Sequence, residues 1–222
     1  MTGIVLQARI FSTRLPEKAL LPLEGRPLIF RVMEALNHVP ADVRIIACPE
    51  DSFEALSPLA KEADFYIFEG PKDDVLERYC RVIRHFSLTR VIRATGDNPF
   101  VFADAAFAVN EEALTLNADY AGYSGLPYGS GVESVCADAL LLAGEKAVSV
   151  YDREHVCPYL YNHPEIFRLH RPLAPVYWQS PDIRLTVDTR EDYENAVKFY
   201  SVLKDVPDRY NGSAIINAYK ND

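Results

Sequence analysis

A short segment near the beginning of the chain combines cationic and hydroxyl side chains. It starts with Gln7-Ala8-Arg9 and continues through Ser12, Thr13 and Arg14 to Lys18. A guanidinium binds phosphate oxygens as a bidentate fork and an ammonium binds them as a point charge, so this segment could contact several phosphate oxygens together. It lacks the GxxxxGK[ST] order of a P-loop. Its spacing alone is equally compatible with a solvated basic loop.

Two aspartates, far apart in the chain, each follow a predicted strand. Asp97 lies in the segment Thr95-Gly96-Asp97-Asn98-Pro99, where the proline disfavours helix and the glycine permits close backbone approach. Asp188 ends a second apolar run. Magnesium prefers carboxylate, phosphate and water oxygens. Taken singly, Asp97 is also typical of a turn and Asp188 of a helix start, but their shared position at strand ends favours a magnesium site.

These residues need a sheet that brings strand ends together. Apolar runs predict strands at residues 43–48, 65–68 and 91–94, and apolar residues at helical spacing predict helices at 29–36 and 73–86. Strands that alternate with helices indicate a mostly parallel α/β sheet with both faces covered. Ligands of such sheets bind at the carboxyl ends of strands, which directs attention to the loops after Ala8, Phe68 and Ala94.

The regular alternation stops at about residue 119 and returns after 170. Glycines and tyrosines punctuate the interval, which predicts an irregular inserted lobe or arm within a single domain spanning residues 1–222. Within it, the glycine-rich segment from Tyr128 to Glu133 could hydrogen-bond sugar hydroxyls, and it is equally compatible with a turn that binds nothing. Arg153 could pair with the carboxylate of an acidic sugar, whereas His155 is compatible with either a structural or a binding role. Beyond the interval, residues 184–188 predict a strand and Thr189 the cap of a following helix.

Composition excludes several classes of function. The chain has 222 residues and a net charge of -9, which argues against binding to nucleic acid, because phosphate backbones are bound by clustered basic residues. The sequence shows no signal-peptide pattern and no apolar run that could span a bilayer, so we expect a cytoplasmic protein that does not act at a membrane. Four widely spaced cysteines indicate buried, reduced thiols rather than a metal site.

The motifs together amount to a family resemblance. The basic loop, Asp74-Val75-Leu76-Glu77-Arg78-Tyr79, Gly96-Asp97-Asn98-Pro99, Arg153-Glu154-His155-Val156 and Leu185-Thr186-Val187-Asp188-Thr189 occur in the order found in the spore-coat polysaccharide biosynthesis protein F type of cytidylyltransferase. This group is similar to the CMP-acylneuraminate and CMP-Kdo synthetases. The resemblance covers nearly the whole chain.

The resemblance implies a three-layer α/β/α, glycosyltransferase-A-like fold and a magnesium-dependent homodimer that transfers CMP from CTP to a sugar, an acidic or 2-keto one, for cell-surface polysaccharide biosynthesis. Pyrophosphate would be released. The implied metal ligands are Asp97 and Asp188, and the implied catalytic residues are Arg14 and Lys18. The nucleotide would contact Gln7, Ala8, Arg9, Ser12, Thr13, Arg14, Lys18, Asp74, Arg78 and Thr95. The sugar would contact Tyr128, Glu133, Arg153 and His155.

Two residues depart from the pattern of that group. Phe11 and Glu17 stand where the group has glycines. They keep open the alternative of a catalytically silent nucleotide or nucleotide-sugar binding protein with the same fold. A glycosyltransferase that uses a finished nucleotide sugar is a third hypothesis. It ranks last because such enzymes commonly hold their metal through a DxD motif, which this sequence lacks.

Overall fold

The computed structural model describes residues 1–221. Their nine strands are β1 (Thr2–Gln7), β2 (Pro22–Leu23), β3 (Arg26–Pro27), β4 (Val43–Pro49), β5 (Tyr66–Gly70), β6 (Arg90–Thr95), β7 (Tyr120–Ala121), β8 (Glu133–Cys136) and β9 (Leu169–His170). Seven form one sheet in the order β5-β4-β1-β6-β8-β7-β9, and β2 and β3 form a separate hairpin. Strands β5, β4, β1 and β6 are mutually parallel, so their carboxyl ends share one edge.

The α-helices of the described residues lie on both sides of this sheet. They are α1 (Leu28–Leu36), α2 (Glu50–Glu62), α3 (Val75–Phe86), α4 (Ala103–Thr115), α5 (Ala137–Lys146), α6 (Val150–His155), α7 (Pro158–Tyr161), α8 (Arg190–Leu203) and α9 (Gly212–Lys220). The alternation of side chains along β1 shows the two layers. Ile4 and Leu6 pack in a core formed with α1, α2, α4, α8 and α9, whereas Val5 packs in a second core formed with α3, α5 and α7.

The α/β class and the parallel strands predicted from sequence are confirmed. The runs at 43–48, 65–68 and 91–94 correspond to β4, β5 and β6, and the helical patterns correspond to α1 and α3. The helix predicted after Thr189 is also present. It begins with a capping box, in which the Thr189 side chain accepts from the backbone N–H of Asp192 and the Asp192 side chain accepts from that of Thr189.

The strand predicted at residues 184–188 is wrong. This segment is extended, but Arg184 makes only an isolated bridge to Tyr128. The reason is that its backbone donors go to two loops instead of a neighbouring strand. The N–H of Leu185 donates to the carbonyl of Tyr128 and the N–H of Val187 donates to the carbonyl of Asp97, both at 2.8 Å. The segment therefore lies beside the Asp97 turn without joining the sheet.

Residues 119–170 contain more regular structure than their sequence pattern suggests. They supply β7, β8 and β9 to the main sheet, and α5 packs against α3. The glycine-rich turn between β7 and β8 lies over the carboxyl edge of the sheet and contacts the segment at 184–187. Gly129 is needed there, because its φ is 95° and a Cβ would lie 2.6 Å from the backbone nitrogen of Thr186.

Membrane-spanning helices were sought among residues 1–221. No helix in this range combines the length and the apolar character needed to cross a bilayer.

Candidate active site

A cavity of about 450 Å³ opens at the carboxyl edge of the sheet. Gln7 and Thr95, which end β1 and β6, are paired in register at its floor. Most of the site residues predicted from the sequence line it: Gln7, Ala8, Arg9, Ser12, Thr13, Arg14, Lys18, Arg78, Thr95, Asp97, Tyr128, His155 and Asp188. The fold thus brings together side chains from both ends of the chain.

Lys18 joins the two predicted metal ligands. Its Nζ lies 3.0 Å from Oδ2 of Asp97, 3.0 Å from Oδ1 of Asp188 and 2.9 Å from the carbonyl oxygen of Val187. An ammonium has three N–H donors, so all of them are satisfied by the protein. Because both carboxylate oxygens contact one nitrogen atom, Asp97 and Asp188 converge on a single cation.

Two guanidinium groups also contact the Asp188 carboxylate. Arg14 NH2 lies 3.0 Å from Oδ1, and Arg184 NH2 lies 3.1 Å from Oδ2. Burial alone would raise the pKa of this carboxyl, but the contacts with Lys18, Arg14 and Arg184 outweigh it, so the pKa lies below its ordinary value. Asp188 is therefore an anion at neutral pH.

Local hydrogen bonds hold both aspartates in place. The hydroxyl of Thr95 donates to Oδ1 of Asp97 at 2.7 Å, and the amide of Asn98 donates to the same hydroxyl at 2.8 Å. On the other side, Oδ2 of Asp192 accepts from the backbone N–H of Asp188 at 2.9 Å. The contact to the helix cap fixes the backbone of Asp188, and the contact to Thr95 fixes the orientation of the Asp97 carboxylate.

The donor set suits a hard divalent cation that is shared with a ligand. Among residues 1–221 no group of three or more His, Cys, Asp or Glu side chains could hold a metal. Two carboxylates are nevertheless the usual protein contribution to a magnesium site whose remaining ligands are phosphate oxygens and water. The ammonium between Asp97 and Asp188 shows that their charges are directed at a cation position. The residues present therefore fit such an ion.

Arg78 is a buried cation without a matching anion. Its residue surface is 3% exposed, and its Nε has no hydrogen-bond partner. Among the described residues, no carboxylate oxygen lies within 4.0 Å of the Arg78 guanidinium nitrogens, which is the limit for an ion pair. Burial lowers the pKa of this guanidinium, although arginine stays protonated at any physiological pH. Since Arg78 lines the cavity, its unused N–H donors are available to a ligand.

Three of the predicted site residues do not line the cavity. The Asp74 side chain accepts from the backbone N–H of Glu77 as the cap of α3 and binds Nε of Arg153 at 2.6 Å. Arg153 also donates to the carbonyls of Gly144 and Ala147. Its guanidinium therefore links α3 to the end of α5, and Arg153 is absent from the cavity lining.

Glu133 is the third of these residues. It binds Arg93 NH1 through Oε2 and accepts from the hydroxyl of Tyr120 at 2.7 Å through Oε1. Both carboxylate oxygens are thus bound by side chains of the protein, and Glu133 is absent from the cavity lining.

Several lining residues escaped the sequence analysis: Lys72, Arg93, Asn98, Glu154 and Thr186. Arg93 offered a signal, since it is a cation inside the apolar run of β6. Asn98 and Thr186 lie within motifs that had already been singled out. Lys72 offered none, because its position depends on the path of the chain between β5 and α3.

Phe11 and Glu17 lie outside the cavity lining. The Phe11 ring is 54% exposed, with Nζ of Lys72 5.8 Å from its centroid. Glu17 is exposed and adopts a left-handed conformation with φ 53°. Neither side chain fills the space between the basic loop and the two aspartates.

Comparison with known proteins identifies the family of the chain. The chain matches the protein-family model described as cytidylyltransferase over residues 3–215. It is 33% identical over 211 residues to the spore coat polysaccharide biosynthesis protein SpsF of Bacillus subtilis (strain 168), and the match covers 92% of this chain and 88% of that protein. The resemblance found from the motifs is thereby confirmed.

Solved structures show the same fold. A cytidylyltransferase from Leptospira borgpetersenii serovar Hardjo-bovis (strain JB197) superposes with a TM-score of 0.88 at 23% identity, covering 99% of this chain and 94% of that one. A CMP:2-keto-3-deoxy-manno-octonic acid synthetase complexed with CTP superposes with a TM-score of 0.70 at 15% identity, covering 90% and 98%. The predicted glycosyltransferase-A-like nucleotidyltransferase fold is confirmed.

Proposed function

Since the chain belongs to the cytidylyltransferase family, we propose that it transfers CMP from CTP to a sugar and releases pyrophosphate with the help of magnesium. The observation that carries this proposal is the convergence of Asp97 and Asp188 on one cation position, where the Lys18 ammonium lies, with Arg14 in contact with Asp188. Such an arrangement binds the triphosphate and stabilises the charge that develops on it.

The reaction requires little covalent work from the protein. An oxygen of the sugar attacks the α-phosphorus in line, and the bond from that phosphorus to the pyrophosphate oxygen breaks as the new bond forms. The protein accelerates this step by holding the two reactants together and by neutralising the phosphate oxygens. Arg14, which is 65% exposed at the mouth of the cavity, is free to turn its guanidinium toward the phosphates.

Asp97 and Asp188 would hold the magnesium ion, which when bound neutralises phosphate charge. Lys18 now contacts both carboxylates with all of its donors. With magnesium held by the two carboxylates, the Lys18 ammonium would give up at least one of these contacts and could donate to a phosphate oxygen instead. Lys18 would therefore serve both the aspartates and the triphosphate.

Arg78 supports cytosine as the base. Adjacent guanidinium N–H groups match the two neighbouring acceptors O2 and N3 of cytosine. Uracil carries a hydrogen on N3, so its N3–H donor would face an N–H donor of the guanidinium. The buried, unpaired state of Arg78 makes such a mismatch costly, because the unsatisfied donors remain buried. We therefore propose that this residue favours CTP over UTP.

The sequence offers Arg153 as a partner for the carboxylate of the acidic sugar that the resemblance implies. That guanidinium is occupied by Asp74. The homodimer, the cytoplasmic location and the role in cell-surface polysaccharide biosynthesis stay predictions.

The proposal is tested by pyrophosphate release from CTP and magnesium over a panel of sugars and sugar phosphates. We expect Asp97→Asn to lower turnover by at least about 10²-fold, the scale of losing one preorganised electrostatic group. Asp138→Asn, at an exposed position in the first turn of α5, is the matched control and should retain full turnover. Wild-type turnover in Asp97→Asn would refute the proposed site.

A further inference from the structure

The glycine-rich turn between β7 and β8 packs against both segments that carry the predicted metal ligands. A Cβ added to Gly129 would lie 2.6 Å from the backbone nitrogen of Thr186 and 2.7 Å from the Thr186 Cβ. It would also lie 2.9 Å from Oδ1 of Asn98. Thr186 stands two residues before Asp188, and Asn98 directly follows Asp97. A side chain at residue 129 would therefore collide with the segments on which both aspartates lie.

The first of these segments is bonded directly to the second. The N–H of Val187 donates to the carbonyl oxygen of Asp97 at 2.8 Å, and Val187 stands between Thr186 and Asp188. A displacement of the Thr186 backbone would thus move Asp188 and strain the one backbone bond that joins it to the Asp97 turn. Thr186 is buried, so it has little room to give way.

The second segment holds the orientation of the Asp97 carboxylate. The amide of Asn98 donates to the hydroxyl of Thr95 at 2.8 Å, and that hydroxyl donates to Oδ1 of Asp97 at 2.7 Å. A displacement of the Asn98 side chain would therefore pass through Thr95 to the carboxylate.

The turn itself is anchored and cannot move aside. Two backbone hydrogen bonds, at 2.8 and 2.9 Å, join Tyr128 to the segment at 183–185. On the other side of Gly129, the carbonyl oxygen of Ser130 accepts from the N–H of Phe102 at 2.9 Å, and Ser130 is fully buried. An added side chain at residue 129 would consequently be accommodated by the two neighbouring segments.

The spacing of two carboxylates matters most for a small cation. Magnesium requires near-ideal octahedral geometry with ligand oxygens at about 2.0–2.1 Å, whereas calcium accepts flexible arrangements at about 2.3–2.6 Å. In the structure, Asp97 and Asp188 are close enough for one Lys18 nitrogen to lie 3.0 Å from an oxygen of each.

We propose that Gly129 is a positioning residue for the metal site. Its missing side chain lets the segment at 183–188 and the Asp97 turn approach as closely as a magnesium ion shared by Asp97 and Asp188 requires. This inference rests on the proposed metal-dependent cytidylyl transfer. It gives the glycine-rich turn a role that needs no contact with the sugar.

The proposal is tested by calorimetric titration of CTP in magnesium, in calcium and in a chelator, without turnover. The gain for each metal is the CTP affinity with that metal divided by the affinity in the chelator. We expect Gly129→Ala to lower the magnesium gain at least about threefold and the calcium gain less, so that the ratio of the two gains falls. The affinity in the chelator should stay at the wild-type value, because the basic loop lies outside the substituted turn.

Gly25→Ala is the matched control. Gly25 also has a left-handed backbone, with φ 73°, but a Cβ added there would meet no atom of residues 1–221 within 4 Å. This variant bears the cost of alanine in a left-handed conformation and should keep the wild-type ratio of magnesium gain to calcium gain. An unchanged ratio in Gly129→Ala, or an equal fall in Gly25→Ala, would overturn the inference.

Should Gly129→Ala fail to fold, Asn98 probes the same contact. In a Thr95→Val background the Asn98 amide has no hydroxyl to hold, so adding Asn98→Ala removes chiefly its contact with Gly129. We expect the ratio to fall at least about twofold further. No further fall would overturn the inference.

The proposed function and this inference fail differently. Absence of CTP binding, or of any magnesium gain, in the wild-type protein would refute the proposed function and the inference with it. A magnesium gain in the wild type that survives Gly129→Ala would refute only the role of Gly129.

Discussion

Replacing Lys18 with methionine removes the ammonium while nearly preserving the side-chain volume. In the wild type, Lys18, Arg14 and Arg184 balance the carboxylates of Asp97, Asp188 and Asp192. The variant loses one of these cations and leaves two converging carboxylates to repel each other. Lys18→Met should therefore destabilise the ligand-free protein.

The size of the effect follows from burial. The Lys18 and Asp188 side chains are 13% and 12% exposed, so solvent screens their attraction only in part. Breaking a fully buried pair costs about 3–5 kcal/mol, and an exposed pair is worth about 0–1 kcal/mol. A site at the edge of an open cavity lies between these limits, and we expect a loss of about 1–3 kcal/mol in the free energy of unfolding.

The loss should depend on pH in a defined direction. The pKa of Asp188 is lowered in the folded protein, so its ion pairs stabilise the fold above the unfolded pKa of about 3.9 and cease to do so as the pH falls through the folded value. Removing Lys18 raises that folded pKa. The difference in stability between the wild type and Lys18→Met should be full at pH 7 and shrink below about pH 4.

Urea unfolding at several pH values measures this difference, with Lys198→Met on an exposed position of α8 as the matched control. Magnesium should stabilise Lys18→Met more than the wild type, because the ion can take the vacated cation position. Equal stability of the two proteins at pH 7, or a difference that persists unchanged into acid, would refute the assignment of Lys18 as the charge partner of both aspartates.

Three other substitutions give independent checks. Arg78→Met should reduce the preference for CTP over UTP at least about tenfold, which is the value of a mismatched buried hydrogen bond. Calorimetric titrations of both nucleotides measure this preference, and equal affinities of the wild type for CTP and UTP would exclude base selection by Arg78. Glu17→Gly should raise the free energy of unfolding by up to about 1 kcal/mol, because glycine adopts φ 53° without strain, and a loss of stability in urea titration would contradict the reasoning. Arg153→Met should lower the free energy of unfolding by about 1–2 kcal/mol, because it loses the contact with Asp74, the cap of α3. If Arg153 does not touch the sugar, the sugar affinity measured by calorimetry stays at the wild-type value.

The sequence specified the part of the fold that follows from local patterns. Buried runs of β-branched residues located β4 and β6, and the apolar spacing located α1 and α3. The residues at 184–187 have the same apolar character, yet their backbone bonds go to the loops at Tyr128 and Asp97. That choice depends on the packing of distant loops, which strand propensity does not encode.

The residues of the candidate site could likewise be predicted from sequence only in part. Arg14, Lys18, Asp97 and Asp188 could be predicted as site residues because their types match phosphate and metal chemistry, and the fold brings the four side chains together. Arg153 also has the right chemistry for an anionic sugar, but nothing in its local sequence reveals that Asp74 occupies it.

The partners of buried charges such as Arg93 and Glu133 are determined by strand pairing, since β6 and β8 are antiparallel and place these two residues opposite each other. The candidate site residues could therefore be predicted from residue types and spacing, whereas the sheet topology determines which of them face the cavity.

The account is tested most directly by calorimetric titration of CTP into the wild-type protein and into Asp97→Asn, each with magnesium and with a chelator. A metal ion shared between the two carboxylates and the triphosphate couples the binding of one to the other. We predict that the wild type binds CTP at least about tenfold more tightly with magnesium than without it, and that Asp97→Asn shows no such gain. Equal affinity of the wild type in both conditions, or an undiminished gain in the variant, would contradict it.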